Sequence, residues 1–299
     1  MELLILLGIG LTIGGVALAM DDDDDDGGAA EREVSEPEAN VEAGGTTTAT
    51  DIADDLIGTN DDETVFARGG NDIVEGRGGD DRLFGMDGSD ILVGGSGADF
   101  MRGGAGDDYL IDNAGSDTLH GDTGDDRIVT TSGIDGEGIV GLSRGLSDGS
   151  ITDLSGLAEF VNPDTDLDES ADSVSAGYGD DTVIAGDGDT VSLGEGNDTL
   201  VVGDWVVSED DPVIVTDFDP AEDQLIYSYD GEGLPPRLSV QTIGDGTGDE
   251  GQGSALLFAD NVFVARIQGA GGLLTVSDVS IVDRASDGSL FSLSSSSAA

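Results

Sequence analysis

From Val74 to Ile128 one apolar side chain returns every ninth residue: Val74, Leu83, Leu92, Met101, Leu110, Leu119 and Ile128. Gly, Asp and other polar residues fill most of the intervals. A nine-residue period is too sparse for a two-sided strand and wrong for a helix. It fits one inward side chain per short strand, stacked on its equivalents in neighbouring coils. Units of this kind cannot bury an apolar face alone, so several must stack to be stable. A degenerate copy, Gly58 to Phe66, precedes the run in register, with Val65 at the apolar place. The pattern returns at Ala176–Ile184 and Leu193–Val201, and Asp172 and Val174 look like the tail of another copy. Between the two returns, Ala185–Ser192 is one residue short.

Without a gap, Ala67 to Val129 reads ARGGNDIVE, GRGGDDRLF, GMDGSDILV, GGSGADFMR, GGAGDDYLI, DNAGSDTLH and GDTGDDRIV. Position four is Gly70, Gly79, Gly88, Gly97, Gly106, Gly115 and Gly124. A Gly fixed in every turn points to a backbone with positive φ, where other residues meet a steric penalty. Position six is Asp72, Asp81, Asp90, Asp99, Asp108, Asp117 and Asp126. In the later copies Asp181, Asp189 and Asp198 take that place, and Glu63 takes it in the degenerate first copy. Carboxylates aligned along a solenoid repel one another unless a cation lies between them. Oxygen ligands, with no Cys and a single His in the chain, suit a hard ion such as calcium. Asp and Gly are also ordinary turn formers, but seven copies in strict register favour metal binding.

The phrase resembles the RTX (hemolysin-type) calcium-binding nonapeptide, G-G-x-G-x-D-x-U-x. The resemblance implies a right-handed parallel β-roll in which each full coil takes two phrases. It implies several calcium ions, each between a turn and the turn two phrases later. Asp carboxylates and the carbonyls of the Gly-rich turns would hold them, a role carried to the Asp and Gly columns named above. Glu63 departs from the pattern. So does position two, where within residues 67–129 only Gly95 and Gly104 keep the second glycine and Arg68, Arg77 and Met86 are among the residues that replace it.

Beyond Gly203 ordinary strand signals begin. Leu225–Tyr229, Arg237–Ile243, Ala255–Phe258 and Val262–Ile267 are rich in branched and aromatic residues. Ala259-Asp260-Asn261 reads as a hairpin turn. The region resembles the C-terminal domain of serralysin-type proteases, where a D-F-x-x-x-x-D-like phrase follows the last repeats. Asp217-Phe218 and Asp223 match it loosely. Such a segment would cap the open end of the solenoid. The family carries its type I secretion signal at the C-terminus, which makes that export machinery an expected partner.

The remaining segments complete the expected organisation. Leu3 to Met20 is apolar apart from Thr12 and precedes the acidic run Asp21–Asp26. As a helix it would be about 27 Å long, just enough to span a bilayer. Ala17-Leu18-Ala19 offers a signal-peptide cleavage site, but a basic n-region is missing. An uncleaved anchor through residues 3–20 and a signal segment both stand. Residues 21–55 read as an acidic disordered linker. Block one of the roll covers 56–129, an insertion 130–168, block two 169–202, a C-terminal β cap 203–285 and a Ser-rich tail 286–299. Asp164, Asp166 and Asp168 mimic an EF-hand start, but Glu169 and Ser175 break that motif.

Charge and composition narrow the function. The net charge is −55 in 299 residues, with ten Arg and no Lys. Such a chain repels nucleic acid and anionic membrane surfaces and resists compaction until cations neutralise it. No disulfide can staple it. Extracellular calcium modules bind with dissociation constants of roughly 10⁻⁴–10⁻³ M, so the chain would fold outside the cell. A zinc protease site fails on ligand count, since His120 is the only histidine. His120 falls at position nine, a surface place on the roll. Gly141-Leu142-Ser143-Arg144-Gly145 matches G-x-S-x-G, but no histidine follows it. The lysine-acylated pore-forming toxins are excluded by the lack of Lys. The expected protein is a non-enzymatic, secreted or surface-anchored calcium-binding protein. A surface adhesin or an enzyme acting through the 130–168 insertion or the cap is the alternative.

Overall fold

The computed structural model describes residues 39–112, 114–131, 170–206, 211–229, 234–244 and 253–283. Up to Tyr229 successive strands alternate between two sheets, one of ten strands and one of eleven among these residues. Thr64–Gly69 pairs with Arg82–Asp87 in one sheet, and Ile73–Gly78 with Ile91–Ser96 in the other. The pairing is parallel, with Val65 opposite Leu83 and Val74 opposite Leu92. Each coil therefore takes two nine-residue phrases, and the fold is a parallel β-roll. Parallel strands need long crossovers in most proteins. Here the other sheet of the same coil supplies the crossover.

The position-eight column makes the core. Val65, Val74, Leu83, Leu92, Met101, Leu110, Leu119 and Ile128 are all at most 1% exposed and belong to one buried cluster. Val174, Val183, Val191 and Leu200 continue it. Alternation along each strand turns positions seven and nine outward. On the eleven-stranded sheet those places carry the rings of Phe66, Phe84, Phe100 and His120, with centroids 4.9, 5.6 and 5.5 Å apart in sequence. His120 thus lies half-buried on the outer face, as its repeat position implies. On the ten-stranded sheet the outward Ile73, Ile91, Val93 and Ile111 are buried as well.

The interruption after block one leaves the stack intact. Leu119 pairs with Val174 and Ile128 with Val183. Equivalent residues normally 18 apart become 55 apart there and return to the same register. The described strands on either side of residues 132–169 therefore stack directly on one another. The phrase that is one residue short shortens the spacing to 17 without breaking the pairing.

Two boundaries differ from expectation. The stack starts inside the stretch expected to be linker: Ala39–Asn40 pairs with Asp55–Ile57, and Thr46–Thr48 with Thr64–Gly69. The reason is Val41, a single apolar residue that is 4% exposed and joins the core. An acidic context concealed it. At the other end the parallel stack continues past Gly203. Gln224–Tyr229 pairs with Thr199–Gly203, and Val279–Asp283 with Gln224–Tyr229. The last of these strands was missed because V-S-I-V-D is short and stands beside a Ser-rich stretch. Antiparallel pairing begins only with Leu238–Ile243, Ser254–Ala259 and Val262–Gln268. Asp260 and Asn261 have φ of 48° and 74°, the left-handed pair that a tight hairpin demands. The hydrophobic N-terminal segment 3–20, Ser143, Asp164, Asp166, Asp168 and the tail 286–299 lie outside the described residues.

Candidate calcium centre

Glycine fixes the turns by lack of space. Gly88 has φ 143°, and a Cβ there would lie 1.5 Å from the carbonyl oxygen of Gly70 in the coil before. A side chain at position four would push the coils apart. Position one has a different constraint: a Cβ on Gly85 would lie 2.3 Å from Oδ2 of Asp90. The missing side chain makes room for the acidic column. Position two also requires positive φ, yet Arg68, Arg77, Met86 and Asp122 adopt it at 78–84°. Each non-Gly residue there costs roughly 1–2 kcal/mol. These turns are strained relative to those at Gly95 and Gly104.

The position-six carboxylates form two hydrogen-bonded ladders along the roll. In one, the N–H of Asp54 donates to Oδ1 of Asp72 at 2.7 Å, that of Asp72 to Asp90 at 2.8 Å, and that of Asp90 to Asp108 at 2.8 Å. The ladder continues through Asp126, Asp181 and Asp198 to Asp223. In the other, Glu63, Asp81, Asp99, Asp117, Asp172 and Asp189 follow in the same sense. Every sequence-predicted Asp thus falls on one of the two lines. The predicted glycines, Gly70 to Gly124, stand in the adjoining turns.

One oxygen of most of these groups has no protein partner. Oδ2 of Asp72, Asp81, Asp90, Asp99, Asp108, Asp126, Asp181 and Asp198 is buried and accepts no hydrogen bond. A buried carboxylate oxygen in that state is costly. Burial is the main cause of raised pKa values here. The N–H bond from the preceding coil opposes it, and neighbouring carboxylates add to it in most of the groups. Asp81, Asp90 and Asp198 rise to about 6. Asp72, Asp99, Asp108 and Asp181 rise to about 7, and Asp126 to about 8. At neutral pH such a column is stabilised by a proton or by a hard cation. Repeated all-oxygen donors spaced along Gly-rich turns fit calcium.

The ladder ends are different. Glu63 accepts from the Gly44 N–H at 3.0 Å and from the Thr59 hydroxyl and N–H at 2.5 and 3.1 Å. Burial pushes its carboxyl up, but these bonds outweigh it and hold the group below the usual range. Asp189, read from sequence as a metal ligand, has both oxygens engaged. Oδ1 accepts from Asp172 at 3.0 Å, and Oδ2 from the Thr130 hydroxyl at 2.5 Å and the Gly186 N–H at 2.7 Å. The D-F-x-x-x-x-D phrase closes the roll. Asp217 accepts from the Leu193 and Gly194 N–H groups and the Ser192 hydroxyl. Asp223 receives the Asp198 N–H at 3.1 Å, and Phe218 is buried in the core.

Sequence reading missed a third line of carboxylates at position five. There the N–H donates backwards, from Asp80 to Asp62, Ala98 to Asp80 and Asp125 to Asp107, at 2.9, 2.9 and 3.0 Å. These groups are exposed. Their signal was present as Asp or Asn beside the position-six Asp. The ladder roles of Asp54 and Asp172 were missed because each stands in an incomplete copy.

The family model for the RTX calcium-binding nonapeptide repeat matches residues 57–92, 84–111, 93–128, 102–136 and 168–200. These segments are RTX repeats. No curated protein matches the chain. Among solved structures, the extracellular lipase LipA from Serratia marcescens aligns at 13% identity over 79% of this chain and 40% of that one. The TM-score is 0.24, too low for the likeness to bear on this fold. The RTX match and the orphaned carboxylate oxygens agree on calcium as the ion of the roll.

Proposed function

We propose that the chain is a non-enzymatic calcium-binding protein of the cell exterior, whose RTX roll assembles on calcium. The observation that carries this reading is the run of buried, unpartnered Oδ2 oxygens in register along the two ladders. Without cations those groups oppose folding, and calcium between the turns converts them into ligands. Binding and folding are then one event. The formal charge of −55 strengthens the coupling, because self-repulsion keeps the unliganded chain expanded. Low cytoplasmic calcium and high extracellular calcium would make the exterior the place where the roll forms. Type I export and attachment through residues 3–20 fit that itinerary. The support for a non-catalytic role is that the roll's buried acids are committed to ladder and ion. The one histidine packs its ring against Phe100.

The test is calcium titration of the decalcified full chain followed by far-UV circular dichroism. β-sheet signal should rise cooperatively with calcium in the roughly 10⁻⁴–10⁻³ M range, and magnesium should substitute poorly. A complete β spectrum in excess chelator, unchanged by calcium, would overturn the reading.

A further inference from the structure

Position one of the repeat is Gly76, Gly85, Gly94, Gly103 and Gly121 in the regular phrases, where a side chain would strike a buried carboxylate. The sixth phrase places Asp112 there instead. Its side chain is 1% exposed, and its Oδ1 accepts no hydrogen bond. Carboxylate oxygens of Asp99, Asp112 and Asp117 all lie within 4.8 Å of one another. This is the one such trio among the described residues. Asp99 supplies a second buried, unpartnered oxygen to it. The ion pairs of the described arginines are made with Asp51, Glu75 and Asp122, away from the trio.

We propose that Asp112 makes the turn between Asp99 and Asp117 the tightest calcium site of the roll, filled first as calcium rises. The inference rests on the calcium reading above. It adds a ligand at a position where the repeat has none. Carboxylate count and rigidity set the affinity of an oxygen site for calcium. In the other turns the position-six carboxylates are the buried ones and those at position five are exposed, whereas this turn offers a third held in the packed interior. The site also lies mid-roll. Stacked repeats fold outward from any formed unit by nearest-neighbour coupling, so a first ion here nucleates coils in both directions.

The experiment is calcium titration of the full chain against a chromophoric chelator, for the wild type, Asp112→Gly, Asp112→Asn and Asp107→Asn. The wild type should show one ion bound at least tenfold tighter than the rest. Asp112→Gly restores the residue of the neighbouring phrases, so it should reach the wild-type β signal at saturating calcium while losing the tight step. Asp112→Asn keeps the volume and drops the charge, and should lose the step too. Asp107→Asn removes the same charge from an exposed place and should retain it. Uniform affinity in the wild type, or Asp112 variants that bind as tightly or tighter, overturns the proposal and leaves the general calcium reading standing. No calcium binding by any of the four chains overturns both.

Discussion

The regular roll and the cap that ends it solve the same problem with different chemistry. In the roll, each regular strand places its position-eight side chain in the core, and the turns bury carboxylates whose second oxygen finds no protein donor. In the cap, strands such as Gln224–Tyr229 and Val262–Gln268 bury several apolar residues each. Trp205, where roll meets cap, donates its indole N–H to the Ala185 carbonyl at 2.8 Å. Cap carboxylates also have local donors. Asp278 accepts from the Thr275 N–H and hydroxyl, both at 2.7 Å, and Asp260 from the Arg237 N–H at 3.0 Å. The cap's apolar residues continue the roll's core cluster, and these carboxylates find their donors within the chain. The roll leaves buried carboxylate oxygens that its own atoms do not satisfy, and under the proposed reading calcium completes it.

Acidity separates the two regions most strongly. Burial raises the buried position-six Asp groups of the roll from an ordinary 3.8 to between about 6 and about 8. A carboxyl whose folded pKa exceeds its unfolded value favours the folded state fully below the unfolded pKa. That contribution is lost as pH rises through the folded pKa. The metal-free roll should therefore gain β signal as pH falls from 8 to 5, with protons taking the cations' place. Asp278 in the cap has the opposite sign, since its hydrogen bonds to Thr275 hold it below the ordinary range. Circular dichroism of the full chain in chelator across that window checks it. A signal that is flat or falls on acidification would break the contrast.

Steric tolerance should separate them next. A Cβ on Gly88 meets the Gly70 carbonyl oxygen at 1.5 Å, whereas one on Gly272 meets nothing within 4 Å. Both have positive φ. Gly272→Ala should cost only the left-handed penalty, roughly 1–2 kcal/mol. Gly88→Ala should add a separation of coils and cost about 4 kcal/mol or more, in the range reserved for severe backbone or packing defects. Denaturant unfolding at saturating calcium measures both.

How far the sequence could reveal this follows from periodicity. A fixed nine-residue phrase states the coil, the inward residue, the required Gly and the acidic column at once, so the roll from Gly58 to Val201 was legible. The position-five ladder was not, because its residues vary among Asp, Asn, Ser and Ala and work through one exposed oxygen. Val41 was hidden because one apolar residue in an acidic stretch carries no period, although neighbouring coils make it core. In the sequence Asp112 is simply a non-Gly residue at position one of its phrase. Only stacking reveals that it meets Asp99 and Asp117, which are thirteen residues before it and five after it in the chain. The pairing of Asp189 with Thr130 spans 59 residues, beyond any local signal.

The finest test compares two single carboxylates. Asp99 lies mid-roll, donates its own N–H to Asp117 and accepts that of Asp81 at 2.8 Å. Asp260 holds the cap hairpin. Asp99→Ala removes a ligand and breaks one rung, and in a linear stack a central defect weakens the interfaces on both sides. The calcium midpoint should rise about tenfold, equivalent to about 1.4 kcal/mol, and the titration should become less steep. Asp260→Ala places Ala at a left-handed position with φ 48° and should lower thermal stability. That loss is spread over all the ions whose binding is coupled to folding, so the midpoint should move less than twofold and the steepness should persist. Calcium titrations of the two full-length variants decide it. Indistinguishable midpoints would mean that the Asp column shapes turns without holding ions, and the roll would then differ from the cap in geometry alone.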